Sequence, residues 1–167
     1  FAKVSKFERF YKQNKPFYES MIRAYRDSLG VIDMQNWLNK NFPATRYNCF
    51  KIIFSPLVSG NQSATDFESN GFKEAQAHVN FPDNPYNPKT MKYSLKAYNV
   101  TRGDIVFTEL NHHFENPEFE NEQNSALINR FSYNLAVYAT KGKAASFYNN
   151  TLSNIEEYMN WALVSLR

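Results

Sequence analysis

The stretch Phe107-Thr108-Glu109-Leu110-Asn111-His112-His113-Phe114-Glu115-Asn116-Pro117 anchors what can be inferred about this chain, because it gathers carboxylates, amides and two of the three histidines in one run. The surrounding pattern predicts a helix near 102–115. On a helix, Glu109 lies one turn before His112 and His113, so its carboxylate shares a face with at least one imidazole. That placement suits a metal site. It suits equally an exposed helix end, where histidines interact with the negative end of the helix dipole. Spacing alone leaves both open.

Downstream of this run, further helices are predicted over 121–139 and from 151 to the end, where Ser153 and Glu156 have the spacing of a capping box. Upstream, 72–81 alternates, with Glu74, Gln76 and His78 on one parity and Ala75, Ala77 and Val79 on the other. That is the pattern of a half-exposed strand. The segment 47–58 is rich in β-branched and aromatic residues and predicts a buried strand running into the turn-forming Ser59-Gly60-Asn61. Across 4–27, Phe7, Phe10, Tyr11, Phe17, Tyr18, Met21, Ile22 and Tyr25 recur at helical steps, with a break expected near Pro16. Gly30 stops that helix, and Met34, Trp37 and Leu38 predict a second over 33–39, ended by Pro43. The proline-rich 82–88 predicts a loop. Two helices, two strands and three more helices make the fold class α+β rather than alternating α/β.

The chain has 167 residues, of which 43% are hydrophobic and 17% aromatic. Residues 1–167 therefore fit one folded domain with a real core and not a disordered chain. No run approaches the roughly 18 apolar residues of a membrane helix, so no membrane span is expected. The net charge of +3 is not gathered into an arginine cluster or basic block, which argues against nucleic acid as a partner. Cys49 is the single cysteine, placed before the apolar Phe50-Lys51-Ile52-Ile53-Phe54, and reads as a structural thiol. Asn61-Gln62-Ser63, Asn99-Val100-Thr101 and Asn149-Asn150-Thr151 match the glycosylation sequon, as chance also allows in so Asn-rich a chain. A start at Phe1 and an end inside the apolar 158–167 read as a piece of a longer protein.

A bare Glu-x-x-His is weak, since a di-iron bundle needs a second copy and none occurs. The closer motif is His-Glu-x-x-His, in which two histidines one turn apart bind zinc and the Glu serves as general base. Here the frame reads Thr108-Glu109-Leu110-Asn111-His112. Together with Lys51-Ile52-Ile53-Phe54-Ser55-Pro56-Leu57-Val58, Gly60-Asn61-Gln62-Ser63, Phe72-Lys73-Glu74-Ala75-Gln76-Ala77-His78-Val79, Asn116-Pro117 and Glu157-Tyr158-Met159, it resembles an uncharacterised family of bacterial exported domains of unknown function, many of which look like zinc metallopeptidases.

The resemblance runs from about Phe7 to the end and implies a zincin-like fold of the gluzincin type: a small β-sheet with an edge strand, packed on several helices. It implies Glu109 as general base, His112 and Glu157 as metal ligands, with Glu156 as the fallback, and Asn116-Pro117 closing the active-site helix. It also implies zinc as cofactor, a peptide or protein as substrate, and export to a periplasmic, cell-surface or extracellular place. The strand carrying His78 is expected at the edge where an extended substrate pairs.

Thr108 departs from the motif. A catalytic zinc commonly has three protein ligands and a water, and a hydroxyl replaces imidazole poorly. The set must then be completed by His113 or His78, or the domain keeps the scaffold without its metal, with a buried Glu109–His112 pair bonded to its neighbours. The alternative function is a non-catalytic protein- or carbohydrate-binding module, with Tyr86, Tyr93 and Tyr98 as a contact surface.

Overall fold

A computed structural model describes residues 4–55, 62–80, 87–130 and 151–167. The fold is α+β. In chain order it has α1 (Phe7–Ser28), α2 (Val31–Asn41), β1 (Cys49–Phe54), β2 (Ser63–Ser69), β3 (Phe72–Val79), α3 (Leu95–Glu120), a 3₁₀ turn (Glu122–Asn124) and α4 (Thr151–Leu166). Of the predicted helix over 121–139, 122–124 form the 3₁₀ turn and 125–130 are helical, whereas 131–139 lie outside the described residues, as do 56–58 and 81 of the predicted strands, 59–61 of the predicted turn and 82–86 of the predicted loop.

The strand order is β1-β3-β2, with β1 parallel and β2 antiparallel to β3. The strand carrying His78 is therefore the central one and not the expected edge. The reason is β2, a strand where the pattern predicts none. Its SATDFES run is mostly exposed and carries no apolar alternation. Asn70 and Gly71 both adopt positive φ, 51° and 79°. They close a β2–β3 hairpin with the turn chemistry that Asn-Gly favours.

Alternation along β3 places Ala75, Ala77 and Val79 on the buried face. Against them α3 packs Val106, Phe107, Leu110 and Phe114, and α2 adds Met34 and Leu38. Gly103 permits the close approach of α2, since a Cβ there would meet Met34 Cε at 3.2 Å. Phe114 stacks on Phe50 with ring centroids 5.7 Å apart. Burial of such a side chain is worth about 3–5 kcal/mol against alanine.

Four boundaries differ from expectation, the first being the start of α3, at Leu95 rather than near 102. Helix α1 runs through Pro16 without ending, and Ser153 falls inside α4 rather than at its cap. Helix α3 continues past Asn116-Pro117 to Glu120. Proline has no N–H to give the carbonyl four residues back, and the His113 carbonyl accepts instead from the Tyr47 hydroxyl at 3.2 Å.

Candidate functional site

Helix α3 is buried on two sides. Its apolar stripe faces the sheet and α2, while Thr108, Asn111 and Glu115, all nearly inaccessible, lie on buried ground with Asn160 of α4. Polar groups in such places must be bonded, because each unbonded one costs about 1–3 kcal/mol. Asn160 meets that need three times. Its Nδ2 donates to the Thr108 carbonyl at 3.1 Å and lies 2.9 Å from His112 Nε2, and its Oδ1 accepts from Asn111 Nδ2 at 2.9 Å. Asn111 Nδ2 also donates to Glu115 Oε2 at 3.2 Å.

His112 is the hub. Its Nδ1 lies 3.3 Å from Asn116 Oδ1 and 3.4 Å from Glu115 Oε1, and its Nε2 is 3.5 Å from Glu157 Oε1. Burial pulls its proton affinity down, but the hydrogen bonds and charges of Glu115 and Glu157 outweigh this and raise the pKa to about 10. The amide of Asn160 opposes that pull, because a donor directed at Nε2 asks for a bare nitrogen. The Thr108 carbonyl and Asn111 hold the amide in this orientation. A proton on Nε2 belongs to the Glu157 contact, and a neutral ring with its proton on Nδ1 fits Asn160. With a carboxylate on each side, the charged ring is the favoured form.

Glu109 makes no hydrogen bond among the described residues. Burial, opposed by the His112 charge and aided by that of Glu157, raises its pKa to about 7. A carboxyl poised there can exchange a proton with water near neutral pH. Glu115 and Glu156 are shifted upward as well, chiefly by burial.

Beside this hub a small groove of about 190 Å³ opens between β2 and α3, lined by Asp66, His112, His113, Asn116 and Glu120. Asp66 reaches across it to His113 Nδ1. The other ring nitrogen of His113 meets the Gln76 carbonyl at 3.2 Å. Tyr47 completes the group, its hydroxyl 3.5 Å from Asp66 Oδ2 and its pKa pushed up to about 12 by burial and then by the Asp66 charge.

The structure thus brings Glu109, His112, Asn116 and Glu157 to one place, with Thr108 and His113 beside them. His78 is elsewhere. It lies on the sheet face away from α3, with Nε2 2.9 Å from Thr65 Oγ1 and 3.3 Å from Gln76 Oε1. Tyr93 and Tyr98 stack on each other far from the groove, at the start of α3, and Tyr86 lies outside the described residues. Asn160, Asn111, Glu115, Asp66 and Tyr47 are not among the residues that spacing or resemblance points to. Asn160 does carry a signal, standing one helical turn after Glu157 inside an otherwise apolar run.

These residues fit zinc as a pair and not as a set. Two ligands of a tetrahedral zinc, each about 2.0–2.1 Å from it, stand roughly 3.4 Å apart, close to the 3.5 Å between His112 Nε2 and Glu157 Oε1. No third donor joins them among the described residues. The Thr108 hydroxyl donates to the Ile105 carbonyl at 2.8 Å, both ring nitrogens of His113 face acceptors on the sheet, and the Asn160 amide stands at the His112 nitrogen a metal would take. Among the described residues no group of three or more His, Cys, Asp or Glu is placed to hold a metal ion. No protein-family model, curated protein or solved structure matches the chain.

Proposed function

We propose that this chain is a metallopeptidase-like domain of gluzincin-type architecture whose cleft recognises a peptide or protein segment without zinc-dependent hydrolysis. One observation carries the reading: Asn160 Nδ2 lies 2.9 Å from His112 Nε2 while bonded to the Thr108 carbonyl, so an amide stands where the motif would have metal. The edge strand supports the recognition half. Strand β2 pairs only with β3 among the described residues, and its Ala64, Thr65 and Asp66 line the groove beside His112, which suits main-chain pairing with an extended segment.

Hydrolysis is the second reading, favoured by Glu109. A carboxyl held near pKa 7 at the motif's general-base position can take a proton from an attacking water. Metal content separates the two. The protein, never exposed to chelator and supplied with zinc, is expected to contain none. Stoichiometric zinc that is lost in both His112→Ala and Glu157→Ala would overturn the recognition reading. A peptidase assay then compares the parent with Glu109→Gln, and activity abolished by that single change would restore the enzyme.

A further inference from the structure

Helix α1 departs from the usual partition of side chains. Tyr25 and Leu29 are buried, Tyr25 against Phe54 with ring centroids 4.3 Å apart, and they tie the C-terminal end of the helix to the core. Further along the same stripe Met21 still packs against the core, but Phe7, Phe10, Tyr11 and Ile22 are 49–55% exposed. Between this stripe, β1 and the start of α2 lies an open groove of about 730 Å³, lined by Tyr11, Tyr18, Ile22, Ile32, Ile52 and Phe54. An exposed apolar groove rimmed by polar side chains marks an interaction site.

Charge identifies what it meets. Lys6, Arg9, Lys12, Lys15, Arg23 and Arg26 stand against Glu8, Glu19 and Asp27, an excess of three basic residues that equals the net +3 of the chain. The rest of the molecule is balanced. Lys12, Lys15 and Arg26 have acidic neighbours on α1, whereas Lys6, Arg9 and Arg23 have no ion pair among the described residues. At helical spacing the basic residues fall mainly on the face opposite the aromatics and on one flank. The charge of the helix is therefore net positive, and its complement is an anionic surface. An amphipathic helix that is basic on one face and aromatic on the other is the form that lies in the plane of a lipid interface.

We propose that α1 docks the domain on an anionic lipid surface, with Phe7, Phe10, Tyr11 and Ile22 entering the interface and Lys6, Arg9 and Arg23 meeting the headgroups. The helix lies on the bilayer rather than crossing it, and no described helix is long and apolar enough to cross. The proposal is independent of the cleft and of any activity there.

The test is cosedimentation of the 167-residue chain with vesicles of phosphatidylglycerol or of phosphatidylcholine, at low salt and at about 0.5 M salt, where surface charge is screened within about 5 Å. Binding to phosphatidylglycerol is expected to be at least about tenfold tighter than to phosphatidylcholine and to fall by about tenfold in high salt. Phe7→Ser/Phe10→Ser and, separately, Arg9→Glu/Arg23→Glu are each expected to weaken it by about tenfold with circular dichroism unchanged. If the aromatic pair fails to fold, the arginine pair alone decides, since both arginines are exposed. Absence of binding to phosphatidylglycerol overturns the proposal, as does binding indifferent to headgroup and salt. A concentration-dependent dimer abolished by Phe7→Ser/Phe10→Ser, without vesicle binding, assigns the face to a second copy instead.

Discussion

The α3–α4 contact and helix α1 break the ordinary partition of side chains in opposite directions. In the first, Asn111, Glu115, Asn160 and Thr108 are buried almost completely; along the second, Phe7, Phe10 and Tyr11 stand about half in water. The two departures differ in what sustains them. A buried amide stays only because every neighbour depends on it, so the α3–α4 contact should be brittle. A half-exposed aromatic has little to lose in the isolated chain, so α1 should tolerate change.

Asn160→Leu breaks the first region most directly. It removes the donor to the Thr108 carbonyl, the acceptor for Asn111 and the contact with His112 Nε2. The loss should be about 3 kcal/mol in urea unfolding. A loss under about 1 kcal/mol would mean that the network is not a unit.

Acidity sharpens the same side. The folded-state pKa of Glu109, about 7, lies above its ordinary 4.5, so stability is fullest below 4.5 and falls as pH rises through 7. With partial solvent screening allowed for, the fall should be about 2 kcal/mol. That limb should vanish in Glu109→Gln. His112, raised from 6.5 to about 10, contributes stability that is complete below pH 6.5 and is lost as pH rises through 10. A His112→Asn variant should lack the alkaline limb, and equal slopes in parent and variant would show that the carboxylates do not hold its proton.

Tyr47→Phe removes the hydroxyl that serves the His113 carbonyl. Thermal unfolding should register a loss of about 1 kcal/mol. On the other side of the comparison, Phe10→Ser should change stability by no more than about 0.5 kcal/mol. A larger loss would show that α1 is packed in solution and would remove the contrast.

Much of this was legible in the residues. The alternation of β3 and the helical steps around Phe107 and Phe114 locate the core because burial follows backbone periodicity. Helical spacing puts Glu109 and His112 on one face, and Glu157 stands with its Oε1 3.5 Å from His112 Nε2. What stayed hidden was either polar or long-range. Strand β2 is exposed and has no apolar code, leaving only its Asn70-Gly71 turn to betray it. The His113 carbonyl that Pro117 leaves without a helical donor is served by Tyr47, 66 residues away in sequence. Asn160 stands out in the sequence only as a polar residue in an apolar run, and its partner, the Thr108 carbonyl, lies 52 residues away.

The central position of β3 sets an order of loosening. Among the described residues the backbone of strand β2 pairs with β3 alone, whereas β3 pairs with β1 as well and receives His113 of α3 through its Gln76 carbonyl. Amide hydrogens of β2 should therefore exchange with solvent soonest and those of β3 last. Release of β2 would take Asp66 away from His113 and widen the groove while leaving the α3–α4 polar network intact. The cleft can thus breathe at its strand wall without disturbing its helical one.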